Sequence, residues 1–207
     1  MNQAGTERTV AVIPLSSDPS RKGGLLLTIQ GRSVLDWTVD AMRRVSEISD
    51  VIIAEPSSNR LSTLRQALDS APASDRVLFH EPNRPLTSAA GLGSFLREAR
   101  THQAAALVVP VKSTYKEVVD GLVMGTMPRH QLFQLQHVLV VDRGPFEEAL
   151  HAAIGQGQVE GDEFALCQKS GIPIHLIQGS FFNFPIAAKV DAEFAEIALV
   201  KGLRLAP

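Results

Sequence analysis

Three polar stretches of the chain collect the side chains able to do chemistry. Ser16-Ser17-Asp18-Pro19-Ser20-Arg21-Lys22-Gly23-Gly24 sets an arginine beside a lysine and closes on paired glycines. The turn Glu81-Pro82-Asn83-Arg84-Pro85 holds a carboxylate and a guanidinium three residues apart, and Lys112 to Arg129 (KSTYKEVVDGLVMGTMPR) carries Lys112, Lys116 and Arg129. Arginine has the fork geometry that phosphate prefers, and glutamate can hold Mg²⁺. Small anionic ligands need only such local clusters. Plainer roles stand beside these: Lys22 as a solvated loop cation, Glu81 as a turn residue, Arg84 as a structural ion-pair partner. A lone histidine such as His137 is more often packed or solvated than catalytic. The formal net charge of −2 gives no basic field of the kind duplex nucleic acid demands, so nucleic acid is not an expected partner.

The elements that must position these residues follow from the apolar pattern. Val10 to Leu15, Val51 to Ala54, Arg76 to His80, Ala104 to Val111, Val138 to Val141 and Ile172 to Ile177 are short apolar runs bounded by turn formers, and they predict buried strands. Helical spacing predicts helices from Ser33 (as N-cap) to about Val45, over Leu61 to Leu68, and from Ser88 to Thr101. Three more are expected over Phe146 to Ile154, over Asp162 to Ser170 with Gly171 as the C′ residue, and over Asp191 to Val200 with Asp191 as N-cap. Strands alternating with helices argue for an α/β fold with a mostly parallel sheet covered on both faces. Lys112 to Arg129 breaks the pattern. Its polar/apolar alternation around Asp120-Gly121 predicts an antiparallel hairpin arm with little core of its own, expected to pack on a second subunit.

At 207 residues, 44% of them apolar and 20% charged, the chain suits one substantial domain spanning residues 1–207. A single cysteine, Cys167, excludes an internal disulfide and is expected as a packed thiol on a helix. The polar start, Met1 to Thr9, lacks the apolar run of a signal peptide, and no window approaches the roughly 20 apolar residues of a membrane span. Membrane partners are not expected, and the default location is the cytoplasm.

Four ordered stretches resemble one family. Val12-Ile13-Pro14 is similar to the family's opening V-I-P-A-A-G, and His80-Glu81-Pro82-Asn83-Arg84-Pro85 to its H-D-A-A-R-P. Val109 to Lys116 is similar to V-P-V-x-D-T-x-K, and Gly171-Ile172-Pro173-Ile174 through Gly179-Ser180-Phe181-Phe182-Asn183 to G-H-P-V…G-S-x-x-N-I-K. Together they resemble the 2-C-methyl-D-erythritol 4-phosphate cytidylyltransferases, the IspD family of isoprenoid-precursor (methylerythritol-phosphate pathway) enzymes.

The resemblance implies a Rossmann-like nucleotidyltransferase fold and a reaction of CTP with a sugar-alcohol phosphate, assisted by Mg²⁺, giving a CDP-alcohol and pyrophosphate. The acceptor phosphate attacks the α-phosphorus in line. Catalysis of this kind rests on positioning and cationic stabilisation. Carried over residue by residue, it implies Arg21 and Lys22 as catalytic cations and Pro14, Ser16, Ser17 and Arg84 on the nucleotide. Thr114, Arg129 and Gln136 fall on the acceptor, and Glu81 and Asp162 on the metal, with helix capping the alternative for Asp162. It also implies a homodimer through the arm.

Several positions depart from the family's pattern. Ser17 and Pro19 stand where loop glycines belong, and proline has no N–H to offer phosphate. Gly24-Leu25 stand where the family's P-K-Q triplet has lysine and glutamine, and Pro185 stands where its closing lysine belongs. His137 replaces the threonine of Q-T-P. No G-x-x-R-x-x-S-V segment, which reads base and ribose in the family, is expected before His80, because Leu68 to Ala73 is too short to hold one. Each lost charge-assisted contact to phosphate is worth about 1.5–3 kcal/mol. Losing both lysines and the loop amides then predicts turnover slower by on the order of 10³–10⁶. Three functions stay open: a nucleotidyltransferase with a rebuilt site, a non-catalytic dimeric homologue that binds a phosphorylated ligand or a protein, and a transferase for another sugar phosphate.

Overall fold

The structure, a computed structural model, describes residues 7–18 and 24–204. Six strands make the central sheet: β1 (Thr9–Pro14), β4 (Ile48–Ala54), β5 (Arg76–His80), β6 (Ala104–Pro110), β9 (Phe133–Asp142) and β10 (Ile174–Gln178). Their spatial order is β10-β6-β9-β5-β1-β4. β1 runs parallel to both β4 and β5, and β10 parallel to β6. The sheet is thus mostly parallel, as expected. β9 is the exception and lies antiparallel between β5 and β6, because it follows the arm and re-enters the sheet from the end that β6 leaves.

Side-chain alternation along the strands feeds two cores. Val10, Val12, Val77, Phe79, Leu139 and Val141 face α2 (Arg60–Ser70), α4 (Arg143–Gly155) and α5 (Glu163–Lys169). Their neighbours Ala11, Ile13, Leu78, Val138 and Val140 face α1 (Val34–Arg43) and α3 (Ala89–Ala99). A buried Leu or Phe side chain contributes about 1.5–3 kcal/mol relative to exposure, so this period-two division holds helices to both faces. Cys167 is buried in the first core, as expected of a thiol packed as an apolar residue. A third cluster joins α6 (Lys189–Val200) to the short hairpin β2 (Thr28–Ile29) and β3 (Arg32–Ser33).

Local signals set the helix starts. Ser33 accepts from Asp36 N and Ser88 from Gly91 N, as N-caps do. Asp162 accepts from Ala165 N, and Gly171, at φ 71°, follows the Ser170 C-cap of the same helix. One expected cap is corrected. Asp191 lies inside α6, whose N-cap is Ala188, and its carboxylate reaches back to Ala187 N and Ala188 N. A second correction concerns β4, which pairs only with β1 at the sheet edge and is half-exposed rather than buried.

The expected arm is present. β7 (Lys116–Val119) and β8 (Leu122–Thr126) pair antiparallel across the two-residue turn Asp120-Gly121, with φ of 49° and 80°. Both central residues sit in the left-handed region, which a type I′ hairpin requires. Val118, Val119, Leu122, Val123 and Met124 are exposed on it.

Candidate functional site

Ligands of open α/β sheets sit outside the carboxyl ends of the strands, where the strand order reverses. Here the order reverses between β1 and β5, and a cleft of about 400 Å³ opens there. Leu15, Ser16 and Ser17 leave the end of β1 to form one wall, and Glu81 leaves the end of β5. Ser57, Asn59, Arg60 and Thr63 come from the start of α2, and Asp162 and Glu163 from the start of α5. Four of the expected site residues, Ser16, Ser17, Glu81 and Asp162, therefore meet in one cleft. Pro14 lines a smaller cavity beside it with Ser16, Arg60 and Glu81. Arg21, Lys22 and Pro19 lie outside the described residues.

The wall at Glu81 is held from behind. Arg84 is 3% exposed and donates from Nε to Glu81 at 3.1 Å and from Nη1 to the Asn183 carbonyl at 2.6 Å. Buried, with its guanidinium tied to Glu81 and to the backbone of the 179–183 turn, Arg84 makes the structural ion pair that was its alternative role and is not among the residues lining either cavity. Gln136 is buried as well. Its Nε2 donates to the Ser180 carbonyl at 2.6 Å, and its carboxamide lies against Gly179 so closely that a β-carbon there would collide with it. Gln136 thus secures the same turn, and its expected contact with the acceptor is not part of this geometry. Thr114 and Arg129 are exposed on the arm and line neither cavity.

His80 completes the support. Its Nδ1 lies 2.6 Å from the Glu81 carbonyl and its Nε2 3.0 Å from Thr87 Oγ1, while Thr87 Oγ1 lies 3.0 Å from the Asn183 carboxamide. Burial pushes the imidazole down to about 3, so it is neutral. A carbonyl only accepts, so the single proton sits on Nδ1, and Nε2 takes the one hydroxyl proton of Thr87. Asn183 must then turn its amide NH₂ toward Thr87, an assignment that also gives a partner to a nitrogen otherwise buried without one.

A bulge sets the remaining wall. Between β6 and β9 the register passes from Ala106↔Leu139 to Val108↔Leu135, so β9 carries extra residues around Gln136 and His137. His137 sits at φ 49°. Bulges re-aim side chains beside functional sites. This one sends Gln136 to the 179–183 turn and His137 into the cleft, where Nδ1 is 3.7 Å from Glu81 Oε1 and the ring meets Phe164 edge-on.

Arg60 is a cleft residue that sequence reasoning missed. Its Nε and Nη2 donate to the two oxygens of Glu163 at 3.0 and 2.8 Å, and its Nη1 donates to the Pro14 carbonyl at 3.2 Å. Ser57-Ser58-Asn59-Arg60-Leu61-Ser62-Thr63-Leu64 has the spacing of the family's G-x-x-R-x-x-S-V and keeps its arginine, with serine for the glycine, threonine for the serine and leucine for the valine. It follows β4 directly, at the start of α2, and lies outside the Leu68 to Ala73 stretch before β5. Asn59 caps α2 by accepting from Ser62 N, and Thr63 accepts from Ser57 N and donates to the Asn59 carbonyl. Ser57, Arg60 and Thr63 are thereby fixed on the cleft.

The sheet order, the flanking helices and a cleft at the carboxyl ends define an α/β protein of nucleotidyltransferase type. Residues 54–201 match the family 2-C-methyl-D-erythritol 4-phosphate cytidylyltransferase (IspD). The chain belongs to that family. It is similar to the 2-C-methyl-D-erythritol 4-phosphate cytidylyltransferase of Desulforamulus reducens, 30% identical over 222 residues that cover 92% of this chain and 95% of the other. The corresponding protein of Symbiobacterium thermophilum is 26% identical, covering 93% of each chain. Among solved structures, 4-diphosphocytidyl-2C-methyl-D-erythritol synthase of Anaerococcus prevotii superposes with a TM-score of 0.80 at 20% identity, covering 94% of this chain and 99% of that one. The 2-C-methyl-D-erythritol 4-phosphate cytidylyltransferase of Thermus thermophilus does so with a TM-score of 0.76 at 24% identity, covering 92% and 98%. These two likenesses establish the fold. Among the described residues no helix is long and apolar enough to cross a membrane.

Proposed function

We propose that this chain binds a cytidine nucleotide in the Ser16–Arg60–Asp162 cleft and transfers its cytidylyl group to a sugar-alcohol phosphate only slowly. The observation that carries the reading is the convergence of Ser16, Ser17, Arg60, Thr63, Glu81 and Asp162 on one cleft at the switch point. Family membership supplies the reaction: an acceptor phosphate oxygen bonds to the α-phosphorus of CTP and pyrophosphate leaves. Slowness follows from the two lysine positions. Gly24 lies against Ile186 without room for a side chain, and the ring of Pro185 carries no cation to extend.

Mg²⁺ fits this cleft as a cation that arrives with the nucleotide. Among the described residues no three His, Cys, Asp or Glu side chains come together as a metal cage. Mg²⁺ needs only one or two carboxylates when substrate phosphates supply the rest, and Glu81 and Asp162 line the same cleft. They would hold the ion, which would neutralise charge on the phosphates.

The arm supports a homodimer. A two-stranded hairpin is marginal alone, and this one exposes Val118, Val119, Leu122, Val123, Met124 and Met127. A second copy that covered these side chains would bring Thr114 and Arg129 to an acceptor site. Removing residues 112–129 should halve the assembly mass in analytical ultracentrifugation, and an unchanged subunit number would exclude the arm as the interface.

Calorimetric titration with CTP tests the cleft. Heat of binding that requires Mg²⁺ and is lost in Ser16→Trp is the expected result, since indole would fill the space beside Ser17 and Arg60. No binding at millimolar CTP would overturn the reading.

A further inference from the structure

Glu81 and His137 face each other across the cleft. Glu81 N donates to the His137 carbonyl at 3.2 Å, which sets the two side chains next to one another beyond the end of β5. Glu81 gives Oε2 to Arg84 at 3.1 Å, while Oε1 lies 3.7 Å from His137 Nδ1. That separation is too long for a hydrogen bond and shorter than two metal–ligand bonds of about 2.1 Å laid end to end. The imidazole is held in place by its backbone, at φ 49°, and by its edge-on contact with Phe164.

We propose that His137 is a nitrogen ligand, beside Glu81, for the divalent cation that accompanies the nucleotide, so that this site takes Co²⁺, Fe²⁺ or Zn²⁺ in preference to Mg²⁺. The inference rests on the reading above that a cytidine nucleotide and its cation occupy this cleft. Mg²⁺ dehydrates reluctantly and is held through oxygen. An imidazole beside one carboxylate makes a mixed nitrogen and oxygen set, which suits the later first-row ions. Threonine, the family's residue at this position, offers only oxygen. Arg84 already takes Oε2 of Glu81, so the carboxylate meets an ion through one oxygen and the nitrogen weighs more in the choice. Two protein ligands suffice, because phosphate oxygens and water supply the others.

The test uses Co²⁺, whose unpaired electrons shift the proton resonances of any imidazole bound to it. With CTP and Co²⁺, NMR of the full chain should show far-shifted imidazole resonances that vanish when the chain carries ring-deuterated histidine and that are absent from His137→Asn. Asparagine tolerates a positive φ, and His137→Gly, which tolerates it too, carries the comparison if the first variant fails to fold. Calorimetry should show the parent binding CTP about tenfold more tightly with Co²⁺ than with Mg²⁺, and each variant binding it within about twofold with the two ions. A parent that binds CTP with Co²⁺ and shows no shifted imidazole resonance would overturn the role of His137. Shifted resonances that persist in the variants would overturn it as well, since they would come from another histidine such as the stacked His102–His175 pair, and so would a Co²⁺ preference that survives the substitutions. A parent chain that binds no CTP with either ion is a different result and overturns the cleft reading itself.

Discussion

The Cα of Gly24 lies against the backbone of Ile186: a β-carbon there would collide with the Ile186 carbonyl oxygen and stand 3.2 Å from its carbonyl carbon and 3.3 Å from the Cα of Ala187. Backbone atoms cannot swing aside as a flexible side chain would. Restoring the family's lysine by Gly24→Lys should therefore cost about 1–3 kcal/mol of stability, in the manner of overpacking, and should not raise pyrophosphate release. Urea unfolding together with a pyrophosphate assay reads both. Faster release with unchanged stability would contradict the packing account of this loop.

His137 stands where the family has threonine, and its backbone at φ 49° explains why the exchange is not neutral here. A β-branched residue in the left-handed region is an outlier. His137→Thr should destabilise by about 1–2 kcal/mol, whereas His137→Gly at the same position should not. Denaturant midpoints of the two variants check this, and equal midpoints would mean that the bulge does not hold that conformation.

Stability should fall on mild acidification because of His80. Its folded value is depressed to about 3 from 6.5, so the unfolded chain takes up the proton first. The stabilisation from a neutral His80 is complete above about pH 7 and declines as pH falls through the unfolded value toward the folded one. Between about pH 7 and about pH 5 this group accounts for a loss of about 2 kcal/mol. His80→Asn, which keeps an amide donor for the Glu81 carbonyl, should lower overall stability but remove that share of the pH dependence. Urea unfolding at the two pH values measures it, and an unchanged pH dependence in the variant would contradict a neutral His80.

Much of this architecture was legible in residue order, and what was hidden had physical reasons. Apolar runs such as Ala104 to Val111 revealed strands, and Asp120-Gly121 revealed the hairpin, because a type I′ turn needs those residues. The direction of β9 did not show, since a fully buried strand carries the same pattern parallel or antiparallel. The bulge at Gln136-His137 was equally silent, being a matter of register against β6. Asp191 looked like a cap because a carboxylate near a helix start serves from either position. Ser16, Glu81 and Asp162, expected from their motifs, line one cleft, while Arg60 gave no signal because its segment follows β4 rather than lying in the turn before β5. Its partner Glu163 lies 103 residues away, a separation that no local spacing reports. Arg84, which its motif places on a ligand, is buried beside Glu81, a placement that no local pattern in the sequence reports.

Pyrophosphate release is the most direct measure of the central claim. This chain and its Desulforamulus reducens relative would be assayed side by side with saturating CTP, Mg²⁺ and 2-C-methyl-D-erythritol 4-phosphate. The account predicts release slower than the relative's by on the order of 10³ or more, with CTP still bound. Turnover within about tenfold of the relative would contradict it, because the places of Gly24 and Pro185 would then not limit the transfer step.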